Sequence, residues 1–284
     1  MIDAHVNNPK SIKYHVKAYF SSIQKELKNK VVVDVPAGNG ATSEILSNLG
    51  ADVKAFDLFP EYFMLKNIPC QRADVMNKLP LQDAAADMLI CQEGIEHFSD
   101  QLKVFKEFNR VLKPGGELII TTPSYSNLAA KLNYLLFESE ERQQMPPNEI
   151  DDLWMSDKSL TNETYYGHIF LLGLQKLRIL GKLAGFKIKE IRFVRKSKGS
   201  IFLLPLFYPF ILIRSYKAYY GSLKRNENIS LARKKEVYGE QLKININYKN
   251  LINRHIFIIF EKESDGKNRN YKIDEMVKPF GKIM

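Results

Sequence analysis

The chain has little cysteine: Cys70 and Cys91 are the only two in 284 residues, far apart and without C-x-x-C spacing. A disulfide framework and a zinc site are therefore disfavoured, no metal is expected, and a reducing cytoplasm is the expected location. The opening residues, MIDAHVNNPK, lack the apolar core of a signal peptide. No stretch reaches the roughly 18 to 20 consecutive apolar residues of a spanning helix, so an integral membrane protein is not expected. What remains is ordinary for a globular enzyme of one or two domains, 45% hydrophobic and 26% charged.

The most informative stretch is VVVDVPAGNG, Val31 to Gly40. Three β-branched residues in a row suit a strand buried on both faces of a parallel sheet. Gly38 and Gly40 then permit a sharp turn without a Cβ, and Thr42 to Leu49 reads as a helix whose first amides face a ligand. A dinucleotide fingerprint would want a small third residue where Ser43 stands, and it has no use for an acid at Asp34, which would oppose a pyrophosphate. A ligand bearing an ammonium group and no phosphate, such as the methionine end of S-adenosylmethionine, fits that acid better. A plain strand-to-helix turn is the remaining reading.

Neighbouring segments narrow the choice. ADVKAF, Ala51 to Phe56, runs into Asp57, 23 residues after Asp34 (57 − 34), so two acids stand at two strand ends that face one crevice. Asp57 can accept both hydroxyls of a ribose, and Leu58 and Phe59 offer an apolar face for adenine. PCQRADV, Pro69 to Val75, supplies a short third strand with Asp74 placed to accept from the adenine amino group. Ala86 to Gln92 reads as a fourth strand and Glu117 to Thr121 as a fifth.

Taken in order, DVPAGNG, AFDLF, RADV with LPLQDAAADMLICQEGIEHF, and RVLKPGGELIITTP resemble the class I S-adenosylmethionine-dependent methyltransferases, the group that includes many small-molecule and quinone methyltransferases. The resemblance spans about residues 31–193. It implies an α/β fold: a Rossmann-like, doubly wound, mostly parallel seven-stranded sheet with an antiparallel last strand. It also implies that Asp34, Ala37, Gly38 and Gly40 hold the methionine moiety and Asp57 the ribose, with Leu58 beside it. Asp74 and Val75 then bracket adenine, and Gln92 and Glu93 lie near the methionine amino group and the transferable methyl. Pro36 stands where the family has a glycine, which suits a position with φ near −65°.

Charge is unevenly placed. Residues 171–263 carry 20 Lys and Arg against 6 Asp and Glu. Upstream, residues 138–163 are acid-rich and contain Pro146 and Pro147, which reads as a solvated loop or short helices. In the family this region covers the acceptor pocket. Within the basic part lies IFLLPLFYPFILI, Ile201 to Ile213, edged by cations and tyrosines and interrupted by Pro205 and Pro209. It is too short and too broken to span a bilayer. Two readings stay open: an element lying in a membrane interface, or a pocket wall or subunit contact. The expected organisation is a cofactor-binding core over residues 1–199, with its acceptor-side loop at about 124–170. An apolar and basic insertion follows over 200–249, then a last strand over 250–263 and a polar tail over 264–284.

Methyl transfer from a sulfonium is an in-line displacement that positioning alone can accelerate. If the acceptor is a hydroxyl, a histidine near neutral pKa can take its proton, and the candidates are His168, in TYYGHIF, and His97, at the start of the helix after strand four. Tyr14 and His15, on the helix SIKYHVKAYF, are placed to cover the donor. The expected activity is methyl transfer to a small-molecule or lipid-linked acceptor, with peripheral contact at the inner membrane surface as an open reading. A nucleic-acid methyltransferase is the runner-up, yet no asparagine-proline-proline-aromatic motif or appended RNA-binding module is present. A cofactor-binding partner protein without catalysis is the third reading.

Overall fold

Val31–Asp34 (β1) is the centre of the molecule because both of its faces are apolar: Val32 and Val33 point to opposite sides and both are fully buried. The structure, a computed structural model, describes residues 3–139, 145–155 and 164–263. Before β1 come the helices Ile12–Ser22 (α1) and Gln24–Leu27 (α2). After it come Ala41–Asn48 (α3), Asp52–Asp57 (β2), Cys70–Arg72 (β3), Ala86–Gln92 (β4), Gln101–Val111 (α4), Leu112–Pro123 (β5) and Leu128–Phe137 (α5). Leu153–Met155 (β6) and Thr164–Tyr166 (β7) pair antiparallel in a separate two-stranded sheet. Leu174–Leu183 (α6), Phe186–Ile191 (β8), Lys198–Leu223 (α7), Leu231–Ile246 (α8), Tyr248–Ile252 (α9) and His255–Lys262 (β9) complete the order.

Seven strands form one sheet in the order β3-β2-β1-β4-β5-β9-β8. The pairs from β3 through β5 are parallel, and β9 runs antiparallel to both β5 and β8. This is the expected mostly parallel sheet with its antiparallel last strand. Alternation along the strands builds two cores. Val33, Leu89, Ile120 and Ile258 face α4 and α6, where Phe105, Phe186 and Phe260 meet edge to face. Val32, Ile90, Ile119 and Ile259 face the other layer, where Val16, Phe20 and Leu46 from α1 and α3 fill the space. The strand order reverses between β1 and β4, and a crevice opens there at the carboxyl ends of the strands.

Two expectations are corrected. Residues 250–252 belong to α9 and not to the last strand, because the Asn247 side chain accepts the Lys249 N–H and starts a helical turn, so the strand begins at His255. The Ile201 to Ile213 segment is not broken by its prolines: α7 continues through Pro205 and Pro209 for 26 residues, long and apolar enough by composition to cross a membrane. Proline deprives the carbonyl four residues back of its donor. The four-residue spacing puts both rings, and the donorless carbonyls of Ile201 and Pro205, on the exposed side of the helix, where no packing is disrupted. Of the anticipated tail, residues 264–284 lie outside the described residues.

Candidate active site

The turns after β1, β2 and β4 enclose a cavity of about 680 Å³. Of the residues expected there, Ala37, Gly38, Asp57, Leu58, Asp74, Val75, Gln92, Glu93 and His97 line it; Asp34, Gly40 and His168 are not among its lining residues. The turn takes its shape from two left-handed glycines, Gly38 at φ 52° and Gly40 at φ 90°. A Cβ on Gly40 would stand 2.9 Å from the Phe63 ring, so side chain and backbone both demand glycine. Pro36, preceded by a cis peptide, packs its ring over Gly94, where a Cβ would come within 2.3 Å of Pro36 Cδ.

Asp57 ties this turn to the neighbouring strand. Its Oδ2 accepts the Gly38 N–H at 2.7 Å and its Oδ1 accepts the Phe59 N–H at 2.8 Å. A carboxylate has about four acceptor sites, so two backbone bonds leave capacity for a ligand's hydroxyls. Asp74 is engaged by its own turn, with Oδ1 accepting the Met76 N–H and Oδ2 the Asn77 amide. Gln92 accepts from the Thr42 hydroxyl at 2.9 Å. Glu93 sits at φ 49°, an uncommon conformation for a side-chain-bearing residue. Its carboxylate accepts from the Thr121 hydroxyl at 2.9 Å and lies 3.4 Å from His255 Nε2.

Asp34 is set back from the cavity. Its side chain is only 1% exposed, Oδ2 accepts the Ser43 hydroxyl at 2.7 Å, and Oδ1 has no hydrogen-bond partner among the described residues. Burial pushes its carboxyl up to about 7. Asp34 braces the turn from behind, and Glu93 is the acid that lines the cavity on the β4 side.

The two histidines separate as well. His97 lies in a 3-10 turn, Ile95–His97, ahead of α4, which starts only after Asp100 caps the Lys103 N–H. Its Nδ1 lies 2.6 Å from the Tyr166 carbonyl and 3.1 Å from that of Gly167. Carbonyls only accept, so Nδ1 carries the proton and Nε2 the lone pair. Burial holds the His97 pKa below its ordinary value, so the ring is neutral near pH 7. His168 stands behind it, with ring centroids 5.4 Å apart. Glu96 is fully buried beside them, accepting from the Thr122 hydroxyl at 2.9 Å, and its pKa is raised by burial and by the charge of Glu93. Potential ligand atoms of Glu96, His97 and His168 lie within 4.8 Å of one another. Glu96 Oε1 is buried with no hydrogen-bond partner among the described residues.

Sequence reasoning missed part of the wall. His5, Ser11, Ile12 and Lys13 reach the cavity from the N-terminal segment, whereas Tyr14 and His15 do not. The signal was Ser11, whose hydroxyl caps the Lys13 N–H and sets the phase of α1. Thr42, Tyr62, Met76, Phe98 and Tyr166 also line it. Tyr166 arrives by way of the β6–β7 pair, which no local pattern announced.

Residues 33–120 match the family model of the methyltransferase domain. The ubiquinone biosynthesis O-methyltransferase of Xanthomonas oryzae pv. oryzae (strain PXO99A) is 32% identical over 127 residues, covering 42% of this chain and 51% of that protein. The enzyme of the same name from Xanthomonas campestris pv. campestris (strain B100) matches over the same shares at the same identity. The chain thus spans about half the length of the curated relatives it matches. A SAM-dependent methyltransferase structure from Archaeoglobus fulgidus aligns over 88% of this chain and 94% of its own at a TM-score of 0.51 and 14% identity, a likeness of fold.

Proposed function

The chain belongs to the class I S-adenosylmethionine-dependent methyltransferases, and from that premise we propose that it methylates a hydroxyl of a small, lipophilic or lipid-linked acceptor. The cavity suits the cofactor. Leu58, Phe59, Val75 and Phe98 provide an apolar berth for a base, the anchored carboxylate of Asp57 has acceptor capacity for a ribose, and Gly38 has open space where a Cβ would stand. Gln92 and Glu93 lie on the side where an ammonium would be held, and Glu93 compensates its charge.

When bound, S-adenosylmethionine supplies an electrophilic methyl on a sulfonium sulfur. The residues of this chain orient and exclude: Ile12 and Lys13 roof the cavity and Tyr166 walls the acceptor side. His97 is the proposed base. Its Nδ1 is pinned by two carbonyls, so Nε2 is the ring atom able to take the hydroxyl proton as the acceptor oxygen bonds to the methyl carbon. The single observation that carries the O-methylation reading is this neutral, tautomer-locked imidazole lining the cofactor cavity. His168 then acts as a positioning residue through its ring contact with His97. O-methylation is also the reaction named for the Xanthomonas relatives.

Calorimetry with S-adenosylmethionine and S-adenosylhomocysteine tests the donor site: one site is expected, and no binding by the wild type sinks the reading. Incubation with labelled donor and an extract of the source cells, followed by identification of the labelled product, tests the acceptor. A product methylated on nitrogen or carbon removes the hydroxyl assignment.

A further inference from the structure

Helix α7 is apolar almost all round and yet lies on the surface. Ser200 is its one buried residue, and Phe202 is 84% exposed. Phe202, Leu206, Ile213 and Tyr220, spaced by four, seven and seven, fall on one face, and all four are exposed. α5 meets the start of α7 at its own first turn, where the Ala129 N–H donates to the Ser200 hydroxyl at 3.0 Å, and its last turn exposes Leu135 and Leu136. An apolar surface of this extent on a folded chain marks an interaction site.

Charge indicates the occupant. From Arg192 through Asn226 the chain carries eight Lys and Arg and no Asp or Glu. Arg214, Lys217, Lys224 and Arg225 are exposed, and none pairs with a carboxylate among the described residues. An apolar stripe bordered by unpaired cations matches a surface whose interior is hydrocarbon and whose rim is phosphate. We infer that α7, with the end of α5, lies in the plane of an anionic phospholipid surface and docks the protein there.

In-plane seating, and not a span, follows from what holds the other side of α7. The Tyr208 hydroxyl donates to the Ile246 carbonyl at 2.8 Å, fastening α7 to α8, whose sequence LARKKEVYGEQLKINI is heavily charged. A spanning α7 would drag that helix into hydrocarbon. The carbonyls of Ile201 and Pro205, without helical donors on the exposed side, also need the water and headgroups of an interface. The docked element lies at the working end of the fold: α7, α8 and α9 leave from the carboxyl end of β8 and return at the start of antiparallel β9, the end of the sheet at which Asp57 and Gln92 stand. A lipid-linked acceptor would therefore meet the cavity side of the molecule. Docking depends on the α7 surface and not on the donor site, so vesicle binding and cofactor binding fail separately.

Flotation of the full chain with vesicles of phosphatidylcholine, with and without about one third phosphatidylglycerol, tests this. Wild type is expected to float with anionic vesicles, to weaken in high salt, and to be released by alkaline carbonate. The double variant Phe202→Glu/Leu206→Glu is expected to lose at least about tenfold in vesicle affinity while keeping its thermal midpoint and cofactor affinity. Arg214→Glu/Arg225→Glu, which leaves the stripe intact, should lose the preference for anionic lipid. Failure of the wild type to float, retention through carbonate extraction, or flotation of the Phe202→Glu/Leu206→Glu variant equal to wild type overturns the assignment. So does a stable dimer that this same variant dissociates, or steeply salt-dependent RNA binding in place of flotation.

Discussion

The Ser43 hydroxyl donates to the Asp34 carboxylate at 2.7 Å in a place sealed from water, joining the first turn of α3 to the end of β1 beneath the glycine turn. The residue that disqualified a dinucleotide fingerprint and the acid that suggested an ammonium partner thus turn out to serve each other. Because Asp34 Oδ1 has no hydrogen-bond partner among the described residues, Ser43 is the main compensation for burying this group.

Ser43→Ala should destabilise the fold by about 1–3 kcal/mol, the cost of stripping a buried acceptor. The Ser43 bond favours the ionised acid, so the loss should be larger at pH 8 than at pH 5, where Asp34 is protonated. Urea unfolding at the two pH values measures the difference, and equal losses would contradict the role assigned to Ser43.

Stability should fall as pH rises. The Asp34 carboxyl is raised from 3.8 to about 7 in the fold, so the folded state binds its proton more tightly than the unfolded chain. Its contribution is complete below about pH 4 and is lost as pH climbs through about 7. Asp34→Asn should therefore show a shallower decline of unfolding free energy across that window than wild type, by urea titration at half-unit intervals.

Asp57→Asn should weaken S-adenosylmethionine binding by about 10- to 100-fold, since hydrogen bonds to a charged acceptor contribute roughly 1.5–3 kcal/mol. The amide oxygen can keep only part of the bonding to Gly38 and Phe59. Calorimetry read together with the thermal midpoint distinguishes lost ligand contacts from a collapsed loop.

Gly94→Ala should cost about 1–3 kcal/mol or more, because its Cβ would overlap the Pro36 ring. In the Pro36→Gly background that ring is gone, and the same substitution should cost much less. A double-mutant cycle by chemical denaturation gives the coupling, and additive effects would disprove the contact.

His97→Gln should lower kcat by about 10²- to 10⁴-fold, the range for a lost general base, with cofactor affinity held. The wild-type pH profile of kcat/KM should rise through a histidine pKa below the ordinary 6.5, because burial disfavours the charged ring. That limb should vanish in the variant, and its persistence would move the base elsewhere.

Much of this molecule was legible locally. The valine run of β1, the acid ending β2 and the glycines of the first turn predicted a strand buried in a parallel sheet and a cofactor crevice, because strand burial and turn geometry depend on a few adjacent residues, and the family resemblance implied the doubly wound sheet. The sheet order, the antiparallel return and the placement of Asp57 at the cavity agree with that reading. Local patterns misjudged α7, since two prolines four residues apart read as breaks until the fold shows both on an exposed face. Nor do they show that Asp34 is buried beside Ser43, or that His97 lines the cavity while His168 does not. Those questions turn on distances between residues far apart in the chain: Ser43 closing over Asp34, the Tyr166 carbonyl holding the His97 proton, and α8 supporting α7 from one side. Sequence determines which side chains are available and the periodicity that folds them. Only tertiary packing decides which are desolvated and which partners they meet, and these set charge state, tautomer and exposure.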